Sequence, residues 1–83
     1  MAESELIVYA TNWCGDCARA RRFLDEQRVA YRWVDINRDR EAEALVRKVN
    51  RGNRTVPTLV FPDGSMLVEP SNPELAQRLR IEA

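Results

Sequence analysis

The sequence predicts an α/β fold in which a mixed four-stranded sheet is flanked by helices, with the element order β-α-β-α-β-β-α. Two observations lead to this prediction. Short apolar or β-branched runs alternate with helical patterns in the first half of the chain, which is typical of parallel strands joined through a helix. Later, a turn-forming tripeptide separates two apolar runs, which indicates an antiparallel hairpin. With no repeat or linker between these elements, we expect a single domain over residues 1–83.

The first three elements form a predicted βαβ unit. ELIVYA (5–10) is a nearly continuous apolar run, which suits a central strand buried on both faces. From Gly15 to Arg28 the apolar residues recur at helical spacing, and YRWVDI (31–36) is β-branched and aromatic, as in a strand. In open sheets of this kind, ligands bind outside the carboxyl ends of the parallel strands.

The second helix is predicted from an apolar stripe at i, i+3, i+4 and i+7, formed by Ala42, Leu45, Val46 and Val49. We expect Gly52 to end this helix, because glycine is favoured just past a helix C-terminus. TLVF (58–61) and SMLV (65–68) flank Pro62-Asp63-Gly64 and are predicted to form the hairpin.

The last helix has a recognisable start. Ser71 and Glu74 have the spacing of a capping box, and Pro73 falls in the first turn, where proline is tolerated. Leu75 and Leu79 lie one turn apart and are expected to face the sheet.

Composition restricts the class of function. Apolar residues make up 45% and charged residues 31%, an ordinary globular mixture, and 13 basic residues balance 13 acidic ones. This balance argues against nucleic acid or an anionic membrane as the main partner. We find no apolar stretch long enough to span a bilayer and no signal-peptide pattern, and we expect a reducing cytoplasm.

The stretch NWCGDC (12–17) contains the only two cysteines of the chain. At i and i+3 on a helical turn, their Cβ atoms are about 5–6 Å apart, and a small adjustment allows a reversible disulfide. A buried pair, a structural disulfide and half of a metal site are the alternatives, but the chain has no histidine to complete a zinc site. The helix N-terminus favours a thiolate at Cys14, the expected nucleophile, while Cys17 faces the core as the resolving thiol.

Asp16 stands between the two cysteines, in the first turn of the predicted helix. A carboxylate repels a nearby thiolate, so we expect Asp16 to be a pKa-tuning residue that makes the Cys14 thiolate less stable than a neutral residue would. The alternative is that Asp16 only complements the positive end of the helix dipole.

The stretch from Val8 to Ile36, the segment NRTVPT (53–58) and the closing hairpin and helix together resemble the glutaredoxins, and within them the mycoredoxin-like branch. The resemblance implies a thioredoxin-like fold and an enzyme that performs thiol–disulfide exchange through the CGDC dithiol. Its substrates would be protein disulfides or mixed disulfides of a low-molecular-weight thiol, namely mycothiol, glutathione or bacillithiol. We expect no tightly bound cofactor and no metal.

The resemblance also implies how substrate is held. Pro57 is expected to be cis, so that the Val56 backbone lies opposite the active-site thiol and pairs with an extended substrate. Trp13 is expected either to shield the thiol or to pack on its loop, and Arg54 either to hold a carboxylate of the thiol or to remain a solvated charge. The full set of candidate substrate-binding residues is Thr11, Trp13, Arg54, Thr55, Val56, Pro57, Ser71 and Asn72.

Three positions depart from the family pattern. Asp16 replaces a common aromatic residue, Thr11 replaces a lysine of glutathione-using members, and the segment 70–73 (PSNP) replaces a Gly-Gly and acidic signature. The last two departures weaken glutathione as the cognate thiol.

The sequence therefore predicts a small, monomeric redoxin with two alternatives. One is an electron donor fed by a thioredoxin-type reductase, for example toward ribonucleotide reductase, although the C-terminal signature of such donors is missing. The other is a dimer that carries an iron–sulfur cluster or a metal with outside thiols as extra ligands.

Overall fold

The computed structural model describes residues 5–80, so the first four and last three residues of the predicted domain lie outside the described part. The elements follow the predicted order: β1 (Leu6–Ala10), α1 (Gly15–Glu26), β2 (Tyr31–Asp35), α2 (Arg40–Val49), β3 (Thr58–Val60), β4 (Met66–Val68) and α3 (Asn72–Leu79). None of these three helices has the length and apolar character needed to cross a membrane.

The sheet is mixed, as predicted, with the strand order β2-β1-β3-β4. β1 pairs in parallel with β2, so that Ala10 lies opposite Asp35 at their carboxyl ends. β3 runs antiparallel to both β1 and β4. The parallel pair therefore points its carboxyl ends toward the loop that carries the cysteines.

Two apolar clusters cover the two faces of the sheet. The larger one joins β1 and β3 to helices α1 and α3, and its buried members are Leu6, Val8, Ala10, Cys17, Ala20, Phe23, Leu24, Leu59, Phe61, Leu75 and Ala76. The smaller one, on the α2 face, consists of Ile36, Ala42 and Val46. Val56 packs against both clusters, so the loop before β3 is held from both sides of the sheet.

Two helices end earlier than the sequence predicts. α1 stops at Glu26, and Arg28 takes a left-handed conformation (φ 59°) just past the cap. α2 stops at Val49, so Gly52 lies beyond the cap rather than at it. Arg51 adopts the left-handed conformation there (φ 57°), and the Gly52 N–H returns to the Arg47 carbonyl at 2.6 Å. Arginine thus occupies positions where glycine is usual.

The last helix begins as the sequence predicts. The Ser71 side chain accepts a hydrogen bond from the Glu74 N–H, and the Glu74 carboxylate accepts one from the Ser71 N–H, so the capping box is complete. The predicted hairpin also forms, although β3 and β4 have only three residues each.

Candidate active site

Cys14 is the N-cap residue of α1 and lies four residues beyond the end of β1. Its Sγ atom accepts a hydrogen bond from the Cys17 N–H at 3.1 Å. The thiol also lies 3.7 Å from the Val56 carbonyl oxygen, to which it donates when protonated. The side chain is partly exposed, so this sulfur can be reached from solvent and is held by a backbone amide at a helix N-terminus.

Cys17 lies one turn further on and has no exposed surface, because the helix turns it into the larger cluster. Burial first, and then a hydrogen bond with the Cys14 thiol, raise the pKa of Cys17 to about 12. The charges of Cys14 and Asp16 contribute in the same direction, and a hydrogen bond from the Thr11 backbone opposes them. At neutral pH Cys17 is therefore a protonated thiol.

The segment before β3 lies opposite Cys14. The Val56–Pro57 peptide bond is cis, as the resemblance implies. The Pro57 carbonyl accepts a hydrogen bond from the Glu69 N–H at 2.9 Å, which ties this segment to the end of β4. The Val56 carbonyl faces the Cys14 sulfur, so backbone polar groups lie beside the accessible thiol.

Behind this segment lies a small network of polar side chains that the sequence did not predict. The Thr58 hydroxyl, which is fully buried, donates to the Thr55 carbonyl at 2.8 Å and accepts from the Asn50 side chain at 3.2 Å. The same Asn50 amide donates to the Val46 carbonyl at 2.8 Å. Thr58 and Asn50 thus link the end of α2 to the residues that face Cys14.

Trp13, next to the nucleophile, is 84% exposed. The aromatic ring therefore does not pack on its loop, which was one of the two alternatives. It is exposed to solvent beside Cys14. Thr11 is half-buried and contributes its backbone to Cys17, so the structure brings it to the thiol pair by its main chain.

Arg54 is exposed, but its guanidinium already has partners within the protein. Its Nε atom lies 2.8 Å from a Glu43 carboxylate oxygen, and its guanidinium also donates to the Asn37 side chain. These contacts attach the α2–β3 loop to α2 and to the end of β2. No sequence pattern predicts these contacts, because both partners are distant along the chain.

Ser71 and Asn72 lie on an open recess beside the start of α1, with a volume of about 490 Å³. The recess is lined by Asp16, Arg19, Glu69, Ser71, Asn72, Pro73 and Glu74. The Ser71 hydroxyl and N–H are used by the capping box, and the Asn72 side-chain oxygen accepts a hydrogen bond from Arg19 at 2.7 Å. Sequence reasoning missed Arg19, for which the only local signal was its i, i+3 spacing to Asp16.

Known proteins resemble this chain over most of its length. The sequence model of the Glutaredoxin family matches residues 6–66. A Mycobacterium tuberculosis protein assigned to the glutaredoxins is 47% identical over 79 residues, which cover 95% of this chain and 94% of that protein. Mycoredoxin 1 of Corynebacterium glutamicum is 37% identical over 76 residues, covering 92% of this chain and 94% of its own.

Solved structures show the same fold. The crystal structure of a mutant of the thioredoxin-like protein BC3987 matches with a TM-score of 0.82 at 29% identity, over 94% of this chain and 97% of that one. The glutaredoxin of Archaeoglobus fulgidus matches with a TM-score of 0.75 at 23% identity, over 95% of this chain and 89% of that one.

The fold and the paired thiols define a thiol–disulfide oxidoreductase with a thioredoxin-like fold. The chain belongs to the glutaredoxin family, as the sequence resemblance predicted, and has a thiol–disulfide redox role.

Proposed function

We propose that this protein reduces mixed disulfides and protein disulfides, with Cys14 as the attacking thiol and Cys17 as the resolving thiol. The observation that carries the proposal is the contrast between the two sulfurs. Cys14 Sγ is accessible and accepts the Cys17 N–H at 3.1 Å at the positive end of α1, which favours a thiolate. Cys17 is buried and protonated.

The first step is attack of the Cys14 thiolate on one sulfur of the substrate disulfide. The substrate S–S bond breaks, its other sulfur leaves as a thiolate, and a mixed disulfide with Cys14 forms. In the monothiol route, a low-molecular-weight thiolate then attacks the substrate-derived sulfur of this mixed disulfide, forms a new disulfide with it and releases the Cys14 thiolate. In the dithiol route, Cys17 loses its proton and attacks Cys14 Sγ, which closes the internal disulfide and releases the bound thiol.

The surroundings of Cys17 favour the monothiol route. Once Cys14 is in a mixed disulfide, its charge and its hydrogen bond no longer raise the pKa of Cys17, but burial, the largest cause, remains. Few Cys17 side chains are then ionised at neutral pH, so ring closure is slow compared with attack by an external thiol.

Substrate backbone is proposed to pair with Val56. Its side chain is packed against both apolar clusters, so its main chain is fixed next to Cys14. The Val56 carbonyl lies 3.7 Å from Sγ, close enough for an extended segment bonded there to present a disulfide to the thiolate.

The charge of the recess suggests the class of low-molecular-weight thiol. Asp16, Glu69 and Glu74 line it, and Arg19 is the basic residue among its lining side chains. Glutathione and bacillithiol carry carboxylates, which this lining disfavours, whereas mycothiol is an uncharged polyol apart from its thiol. We therefore propose mycothiol as the co-substrate. We also propose that the protein is a monomer that acts in a reducing cytoplasm.

Two cysteine variants test the assignment of roles. Cys14→Ser removes the only accessible thiol while serine still caps the helix, so the fold is kept and exchange activity should fall at least a hundredfold. Cys17→Ser should keep reduction of a low-molecular-weight mixed disulfide but form no internal disulfide. Equal loss of activity in the two variants would contradict the monothiol route.

The thiol class is tested by coupled assays of one mixed-disulfide substrate with mycothiol, glutathione, bacillithiol or thioredoxin reductase as the reductant. We expect the highest kcat/KM with mycothiol. Faster turnover with thioredoxin reductase would instead support the electron-donor alternative. A brown protein with visible absorption after anaerobic purification would support the cluster-carrying dimer.

A further inference from the structure

The guanidinium of Arg19 connects two parts of the molecule that are far apart in sequence. It donates to the Asn72 side-chain oxygen at 2.7 Å and to the Pro70 carbonyl at 2.8 Å, both at the start of α3. The same group lies 3.7 Å from the Asp16 carboxylate, in the first turn of α1. One side chain thus joins the helix that begins at Cys14 to the rim of the recess.

The hydrogen bonds fix the position of the Arg19 charge. Its side chain is 34% exposed, whereas that of Asp16 is 56% exposed. An isolated ion pair at such a site is weak and mobile. Here the planar fork of arginine is held by two neutral acceptors on α3, so its position does not depend on Asp16.

Asp16 lies between the two cysteines, in the first turn of the helix that Cys14 caps. Its negative charge is therefore placed beside the thiol pair, and it contributes to the raised pKa of Cys17. A cation next to this carboxylate offsets part of its negative field at the start of α1. The reacting form of a cysteine is the thiolate. Without Arg19, the uncompensated Asp16 carboxylate would destabilise a thiolate at this end of α1 and so favour the disulfide.

We propose that Arg19 is a positioning residue with two separable effects on the exchange reaction. Its positive charge compensates Asp16 and so keeps the Cys14–Cys17 pair more oxidising. Its hydrogen bonds to the Pro70 carbonyl and the Asn72 side chain hold the start of α3, and with it the Asn72 rim of the recess, where a low-molecular-weight thiol is proposed to bind. The second effect rests on the proposed function, whereas the first concerns the isolated protein.

The charge effect is measured as the equilibrium between the Cys14–Cys17 pair and a dithiothreitol redox buffer at pH 7. Reduction of the internal disulfide takes two electrons, supplied as dithiothreitol is oxidised to its cyclic disulfide. Arg19→Gln should shift the equilibrium about two- to fivefold toward the protein disulfide. Asp16→Asn should shift it in the opposite direction, and Arg19→Lys, which keeps the charge, should stay near wild type.

The rim effect is measured as the KM for a low-molecular-weight mixed disulfide. Both Arg19→Gln and Arg19→Lys lose the bidentate contact and should raise KM about three- to tenfold with a smaller change in kcat. Arg22→Gln is the matched control, since it removes the same charge from an exposed position on the same helix and should change neither quantity.

Thermal unfolding of each variant shows whether the fold is kept. A wild-type redox equilibrium in a folded Arg19→Gln protein would overturn the charge effect, and a wild-type KM would overturn the rim effect. The redox equilibrium needs no substrate, so failure of the proposed co-substrate is distinguishable from failure of the role assigned to Arg19.

Discussion

Cys14 and Cys17 are three residues apart, yet their side chains lie in different surroundings. The cause is the position at which α1 begins. Because Gly15 is its first residue, Cys14 remains in the loop as the N-cap, while Cys17 falls on the face that packs against the sheet. One helical turn is therefore enough to separate an accessible thiol from a buried one.

The raised pKa of Cys17 predicts a loss of stability at high pH in the reduced protein. Its pKa is 9.0 when unperturbed and about 12 in the folded protein, mainly because of burial. Below pH 9 the thiol is protonated in both states. Between about pH 9 and 12 only the unfolded chain ionises, so the free energy of unfolding falls by up to about 1.4 kcal/mol per pH unit.

Urea unfolding under reducing conditions between pH 8 and 10.5 measures this slope. Cys17→Ala should remove the part of the slope that begins near pH 9, whereas Cys14→Ser keeps the burial of Cys17 and should retain most of it. Burial also raises the pKa of Tyr31 above 10.0, which adds a slope of the same sign above about pH 10 in every variant. Parallel pH profiles for wild type and Cys17→Ala would show that Cys17 does not carry the effect.

All the strands and helices in the described part were predicted from the sequence, in the right order. This was possible because the apolar period differs clearly between ELIVYA (5–10) and the stripe on α2. The helix ends were predicted less well. Arg28 and Arg51 adopt left-handed conformations, which are uncommon for arginine. The turns are closed by hydrogen bonds from the Arg28 N–H to the Asp25 carbonyl and from the Gly52 N–H to the Arg47 carbonyl.

The candidate site was also predicted only in part. Local spacing and the family resemblance indicated Cys14, Cys17 and the segment at Val56. The partners of Arg54 and Arg19 could not be predicted, because they depend on which loops meet after the sheet has formed. Side-chain networks that join distant segments have no signature in a single sequence.

The hydrogen bonds of Thr58 link α2 to β3. Thr58→Val keeps the side-chain shape but removes the hydroxyl that donates to the Thr55 carbonyl and accepts from Asn50. Because Thr58 is fully buried, water cannot replace it, and the variant should lose about 1–3 kcal/mol of unfolding free energy. We also expect slower exchange, since the network supports the segment that faces Cys14.

Thr58→Ser is the matched control, because it keeps the hydroxyl and loses only a methyl group. It should retain more of both stability and activity than Thr58→Val, as measured by urea unfolding and by mixed-disulfide reduction. The opposite order would show that the methyl group, rather than the hydrogen bonds, holds the segment.

At the scale of the whole molecule, the site lies where the two apolar clusters meet. The larger cluster positions Cys17 and the axis of α1, whereas the smaller one supports Val56 from the α2 face. The distance between Cys14 and the Val56 carbonyl is therefore set by both faces of the sheet together. A loss of packing in either cluster affects stability, but the two clusters should differ in how strongly they affect catalysis.

Val46→Ala and Leu24→Ala separate these contributions. Both side chains are fully buried, Val46 in the smaller cluster beside Val56 and Leu24 in the larger one, on the last turns of α1. Leu24→Ala should cost about 2–5 kcal/mol and Val46→Ala about 1.5–3 kcal/mol. Despite its smaller cost, Val46→Ala should lower the exchange rate of the folded protein more, because it loosens the backbone that faces Cys14.

Urea unfolding and mixed-disulfide reduction, measured at a temperature where both variants are at least nine-tenths folded, supply the comparison. We expect the loss of kcat/KM per kcal/mol of lost stability to be greater for Val46→Ala. If activity falls with stability along one common line for both variants, the smaller cluster has no particular role at the site. Val56 would then be held by its own loop, because packing from the α2 face would add stability without adding position.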